Sequence, residues 1–107
     1  METNNKTIGR LDLRVEILDD FEHYDIKDSQ YPEDIVAEVA DSLTPVYNTD
    51  LIDFASNYVG EEFWELWLDN SEYTNPIDCL RWNVYNLYLQ VANDVLEELR
   101  EEWEEDN

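Results

Sequence analysis

The sequence has little of what most catalytic or metal-binding sites are built from. It holds one cysteine, Cys79, and one histidine, His23, so neither an intrachain disulfide nor the usual zinc ligand sets can form. The two glycines, Gly9 and Gly60, stand far apart, which excludes a glycine-rich phosphate loop. Asp69 to Tyr73 alternates oxygen side chains but lacks the glycine that a calcium loop needs for its turn. No stretch approaches the roughly 18 uninterrupted apolar residues of a membrane-spanning helix, and Met1 to Thr7 has no signal-peptide core. No metal or cofactor is expected, and no catalytic residue stands out. A soluble, intracellular protein is the simplest expectation, with Cys79 an inert helical thiol and His23 a surface residue.

Bases are as scarce as cysteine. Six Lys and Arg face 28 Asp and Glu, for a formal charge of -22 in 107 residues. Such a charge normally marks a disordered acidic tail, but 43% of residues are hydrophobic and 13% aromatic, enough to build a core beneath a charged coat. One domain over residues 1–107 is expected. The charge is unevenly placed: residues 1–18 carry three acids and three bases, residues 19–78 seventeen acids against Lys27, and residues 94–107 eight acids against Arg100. A halophile-type coat serving hydration alone should be acidic throughout, and this chain opens neutral. An acidic chaperone of basic proteins shares the electrostatics but usually carries its acid in a disordered tail.

The expected fold class is mainly α: a small elongated helical domain with a long C-terminal helix. Asn75 and Pro76 supply an N-cap and a first helical residue, after which Ile77, Leu80, Val84, Leu87, Val91, Val95 and Leu99 recur at helical spacing. Upstream, Pro32 opens a helix with Ile35, Val36, Val39 and Leu43 inward, and Pro45 ends it. Asn48 or Thr49 caps another through about Val59, with Leu51, Ile52, Ala55 and Val59 inward and Gly60 beyond its end. Glu61 to Asp69 reads as a short aromatic helix. The N-terminal segment at about residues 10–18 is different: Leu11, Leu13, Val15 and Ile17 alternate with Asp12, Arg14 and Glu16, which predicts a half-buried strand. Phe21, Tyr24 and Ile26 are the anchors of the polar stretch that follows.

Each predicted helix carries acids opposite its apolar stripe. Asp34, Glu38 and Asp41 form one rail, Glu61, Glu65 and Asp69 a second, and Asp94, Glu98, Glu101 or Glu102, and Glu105 a third; Asp50 and Asp53 open the helix between the first two. Acids four apart repeat about every 6 Å along a helix and repel one another, so they are present despite their local cost. Duplex DNA shows a negative charge about every 3.4 Å per strand, and adjacent rails reach a linear charge density of that order. A surface of this kind fits the Lys- and Arg-lined groove of a protein that grips DNA.

Particular residues carry a family resemblance. Asp25-Ile26-Lys27-Asp28, Ala40-Asp41, Pro45, Tyr47 and Asp50, then Leu80, Val84, Tyr85, Glu97, Leu99, Glu102 and Trp103, occur at matching spacing. From Tyr24 to Asp106 the chain resembles the Ocr-type antirestriction proteins of tailed phages, small dimeric helical proteins that imitate bent B-form DNA and block type I restriction-modification enzymes. The resemblance implies an anti-defence protein in the host cytoplasm that binds a DNA-binding host protein and neither nucleic acid nor membrane. It marks Asp25, Asp28, Asp34, Asp41, Asp50, Glu61, Glu65, Glu72, Asp94, Glu97, Glu98, Glu102 and Glu105 as phosphate-imitating carboxylates. Other targets that grip DNA fit the same chemistry: a CRISPR effector, a DNA glycosylase, a polymerase or a nucleoid protein. Residues 1–18 and the aromatic run Phe63 to Trp67 depart from the family pattern. Phe63, Trp64, Trp67 and Leu68 offer more apolar surface than so short a helix hides, and with Ile52 they are the expected homodimer interface.

Overall fold

The protein is described here by a computed structural model, which defines residues 7–59, 63–67 and 75–105. Its longest element, α4, starts where the sequence says it should. Asn75 Oδ1 accepts a hydrogen bond from the Ile77 N–H at 2.8 Å, Pro76 takes the first helical position, and the helix runs 30 residues, Pro76–Glu105. At 1.5 Å per residue that is about 45 Å. Leu80, Val84, Leu87, Val91 and Val95 are buried as expected, and Tyr88, Ala92 and Leu96 are buried beside them. Two adjacent apolar rows let α4 be covered from two sides, and every other helix packs on it.

α2 spans Pro32–Leu43. Val36, Val39 and Ala40 are buried while Ile35 and Leu43 pack against the core edge. The helix ends where Thr44 turns its hydroxyl back to donate to the Ala40 carbonyl at 2.7 Å, one residue before Pro45 forbids continuation. α3 spans Asn48–Asn57 and its N-cap is Tyr47, without a side-chain cap, so Asn48 and Thr49 lie inside the helix. Leu51, Phe54 and Ala55 face inward; Ile52 and Val59, expected inside, are 41% and 60% exposed. Phe54 takes that place, stacked on Tyr58 and packed at a tilt against Tyr88. The aromatic run forms a 3₁₀ turn, Phe63–Trp67, and the expected caps and ends at Gly60, Glu61 and Asp69 lie outside the described residues.

The N-terminal segment is not a strand. Residues Arg10–His23 form α1. Leu13, Ile17 and Phe21, four residues apart, are buried, whereas Leu11 and Val15 are 75% and 67% exposed. Over four apolar residues, alternation and two opposed helical pairs look the same; Phe21 and the tertiary partners decide for the helix. Asp12 caps the start by accepting from the Gly9 N–H at 2.8 Å. Extended backbone occurs instead at Ile8, which forms a parallel bridge with Tyr58: the Ile8 N–H donates to the Asn57 carbonyl at 2.8 Å and the Val59 N–H to the Ile8 carbonyl at 2.9 Å. That bridge also stops α3 at Asn57. After α1, Asp25 adopts a left-handed conformation, φ 52°, and a 3₁₀ turn, Ile26–Asp28, leads to α2. The molecule measures 47 × 41 × 22 Å, a flat slab and not the elongated body expected from the length of α4, because α1, α2 and α3 pack beside that helix and broaden the molecule.

Two ion pairs of matching register fasten α1 to α4. Arg10 pairs with Asp94, and Arg14 pairs with Glu98 through two hydrogen bonds of 2.8 and 2.7 Å. The Arg14 hydrogen bond holds the Glu98 carboxyl below its ordinary value. A carboxylate with a depressed folded-state pKa stabilises above the unfolded value, about 4.3 for glutamate, and loses that contribution as pH falls through the folded value. Arg14→Gln is therefore expected to lower the thermal midpoint near neutral pH, and the difference from the unmodified chain should fade as pH is brought below about 4. A difference independent of pH would assign the effect to packing of the arginine stem.

Candidate functional site

The charge distribution follows from the packing. Because the apolar stripe of α2 faces α4, Asp34, Glu38 and Asp41 stand on its outer side, and all three are exposed. Asp50 and Asp53 on α3, Asp25 and Asp28 around the 3₁₀ turn, Glu65, and Glu101 and Glu102 on α4 are exposed as well. None of these has an ion-pair partner among the described residues. Asp34 lies in the first turn of α2, and Asp50 in the first turn of α3, where helix dipoles favour a negative charge.

The third rail is different in kind. Asp94 and Glu98 meet Arg10 and Arg14, and Glu97 lies 3.5 Å from Arg100. Arg100 also pairs with Glu33 on α2, which holds that carboxyl below its ordinary value. These acids keep half or more of their side-chain surface exposed, but part of their charge is neutralised from within. Arg81 donates to the Val46 carbonyl at 3.1 Å and to Asn48 Oδ1 at 2.9 Å and lies 3.6 Å from Asp78. All four arginines of the sequence thus bind the fold together, and among the described residues Lys27 is the one cation left exposed beside the acids. Sequence reading missed this use of the arginines. Arg10 and Arg14, spaced four apart like Asp94 and Glu98, carried the signal, but a strand assignment puts consecutive turns of a helix out of consideration.

Beneath the α1–α4 seam, the Tyr88 hydroxyl donates to Glu16 at 3.3 Å. Burial first, and the nearby carboxylate second, push its pKa upward, so the phenol keeps its proton and acts as a donor. Cys79 is buried on α4 and His23 is exposed. Among the described residues no three His, Cys, Asp or Glu come together as a metal site, and no helix is long and apolar enough to cross a membrane.

Of the apolar interface residues, Ile52 and Trp67 are 41% and 51% exposed. They line one shallow depression of about 200 Å³ together with Ile77 and Leu80. The side chains of Phe63, Trp64 and Glu105, and residues Glu61, Leu68, Asp69 and Glu72 as a whole, lie outside the described residues. A second apolar exposure was not anticipated: Val46 and Tyr47 are 75% and 71% exposed, and Trp82 on α4 is 42% exposed.

No family model, curated protein or solved structure matches the chain.

Proposed function

We propose that this chain is a phage-encoded DNA mimic that binds the DNA groove of a host defence protein, a type I restriction-modification enzyme, and inhibits it stoichiometrically in the host cytoplasm. The observation that carries this reading is the division of labour among charges. All four arginines are engaged in internal contacts, while carboxylates without an ion-pair partner among the described residues stand on the outer faces of α2 and α3 and on the turn after α1. Acids at i and i+4 repel, so a helix gains nothing locally from Asp34, Glu38 and Asp41; a partner lined with Lys and Arg supplies the compensation. The resemblance from Tyr24 to Asp106 points the same way and names the target class. Another DNA-gripping protein would be bound by the same chemistry, because phosphate contacts position a groove without specifying sequence.

Capture from lysate of a bacterial host, followed by addition of excess duplex DNA, tests this. The expected result is retention of a DNA-binding enzyme that the duplex releases; retention of proteins that duplex does not displace counts against mimicry. The functional unit is a symmetric homodimer joined through Ile52 and Trp67, a weakly charged patch that lets the acidic faces point outward. Sedimentation equilibrium at moderate salt should give a dimer, and Trp67→Glu should give a folded monomer. A monomeric parent chain, or a Trp67→Glu variant that still dimerises, removes this interface.

A further inference from the structure

Between the end of α1, the 3₁₀ turn and the C-terminal half of α4 lies an open cavity of about 400 Å³, within the roughly 300–1,000 Å³ of small-ligand pockets. Phe21 and Leu99 give it an apolar floor, and the half-buried Trp103 contributes an aromatic wall. Glu22, Asp25 and Asp28 line its mouth and are exposed, three carboxylates against the single ammonium of Lys27. They do not converge on one point as metal ligands do. An apolar floor bounded by acids is complementary to a side chain with an apolar stem and a cationic head.

We propose that this cavity is a socket for one arginine side chain of the target protein. The methylene stem lies over Phe21 and Leu99, the planar guanidinium stacks against the Trp103 indole, and the carboxylates at the mouth receive its N–H donors. Arginine fits better than lysine because a flat, weakly hydrated cation offers both a stacking face and a fork of donors. The acidic helix faces hold a groove by charge alone; the socket adds a contact that needs shape. The proposal rests on the DNA-mimic reading for the identity of the partner, because DNA-binding grooves are rich in arginine.

The probe is N-acetyl-arginine amide, titrated into the full chain while the indole N–H resonances are followed by NMR. The expected result is a saturable shift of Trp103, with Trp82 little changed, a weaker response to N-acetyl-lysine amide, and none to the neutral citrulline analogue. Asp25→Asn combined with Asp28→Asn should abolish the Trp103 response; asparagine tolerates the left-handed backbone at position 25, so the fold is kept. Neutralising Asp34, Glu38 and Asp41 should leave it intact. Equal shifts at Trp103 and Trp82, or equal responses to arginine and lysine, would overturn the socket. With the captured target, the Asp25 and Asp28 double variant should lose about tenfold or more in affinity at a salt concentration where Asp50→Asn loses little. If duplex DNA displaces the target but the double variant binds as well as the parent, the socket is wrong and mimicry stands. If arginine fills the socket but duplex displaces nothing, the socket stands and mimicry is wrong.

Discussion

Changing Asp34, Glu38 and Asp41 together to Asn, Gln and Asn is expected to weaken target binding by roughly 10- to 100-fold while leaving the fold as stable as before or more so. The three acids lie on the exposed side of α2 without ion-pair partners among the described residues. Exposed charge pairs contribute about 0.2–1 kcal/mol each, and three such contacts at the upper end of that range amount to roughly 2–3 kcal/mol. Each tenfold change in affinity is about 1.4 kcal/mol. Their mutual repulsion along α2 is removed by the same substitutions, so a melting temperature that holds or rises alongside lost binding separates recognition from unfolding. Asp50→Asn alone should change affinity less than about fivefold. Loss of all activity from that single change would point to a specific site in place of a distributed surface.

Ile17→Ala should cost about 2–5 kcal/mol of unfolding free energy, measured by denaturant titration, while Val15→Ala should stay within about 0.5 kcal/mol. Ile17 is fully buried and Val15 is 67% exposed. A domain of this size has roughly 5–15 kcal/mol in total, so the first change alone should bring a large fraction of molecules near unfolding at moderate temperature. In a strand, Leu11, Leu13, Val15 and Ile17 would share one face and the two substitutions would cost alike. The contrast tests the helical assignment of α1 without any functional assay.

Those two residues also show why the N-terminal segment was hard to read. A four-residue alternation contains both periods, and the segment's apolar residues do fall on two faces of α1, one buried on α4 and one open to solvent. Nothing local states that Leu11 and Val15 tolerate exposure. The end-capped α4 was legible because Asn75, Pro76 and an uninterrupted apolar seam agree. Its second buried row, Tyr88, Ala92 and Leu96, was not, because alanine and tyrosine fit either environment and only the neighbours decide.

The acidic faces were legible in the same way, as positions left over once the apolar stripes are placed. Asp34, Glu38 and Asp41 are exposed as the periodicity of α2 requires. What sequence spacing does not contain is which carboxylates meet an arginine from a distant helix: Asp94 and Glu98 are 84 residues from their partners. The third rail therefore reads as fully available in one dimension and is partly neutralised in three. A groove approaching the protein should meet its strongest field over α2, α3 and the turn after α1, with Glu101 and Glu102 extending it along α4.

If carboxylates take the place of DNA phosphates, target binding must weaken as salt rises. Affinity measured by titration calorimetry over about 50–300 mM salt, with and without competing duplex, should fall steeply and linearly on logarithmic axes, and duplex should compete for the same site. An affinity that stays flat across that range and is untouched by duplex DNA would show that the carboxylates do not stand in for phosphates.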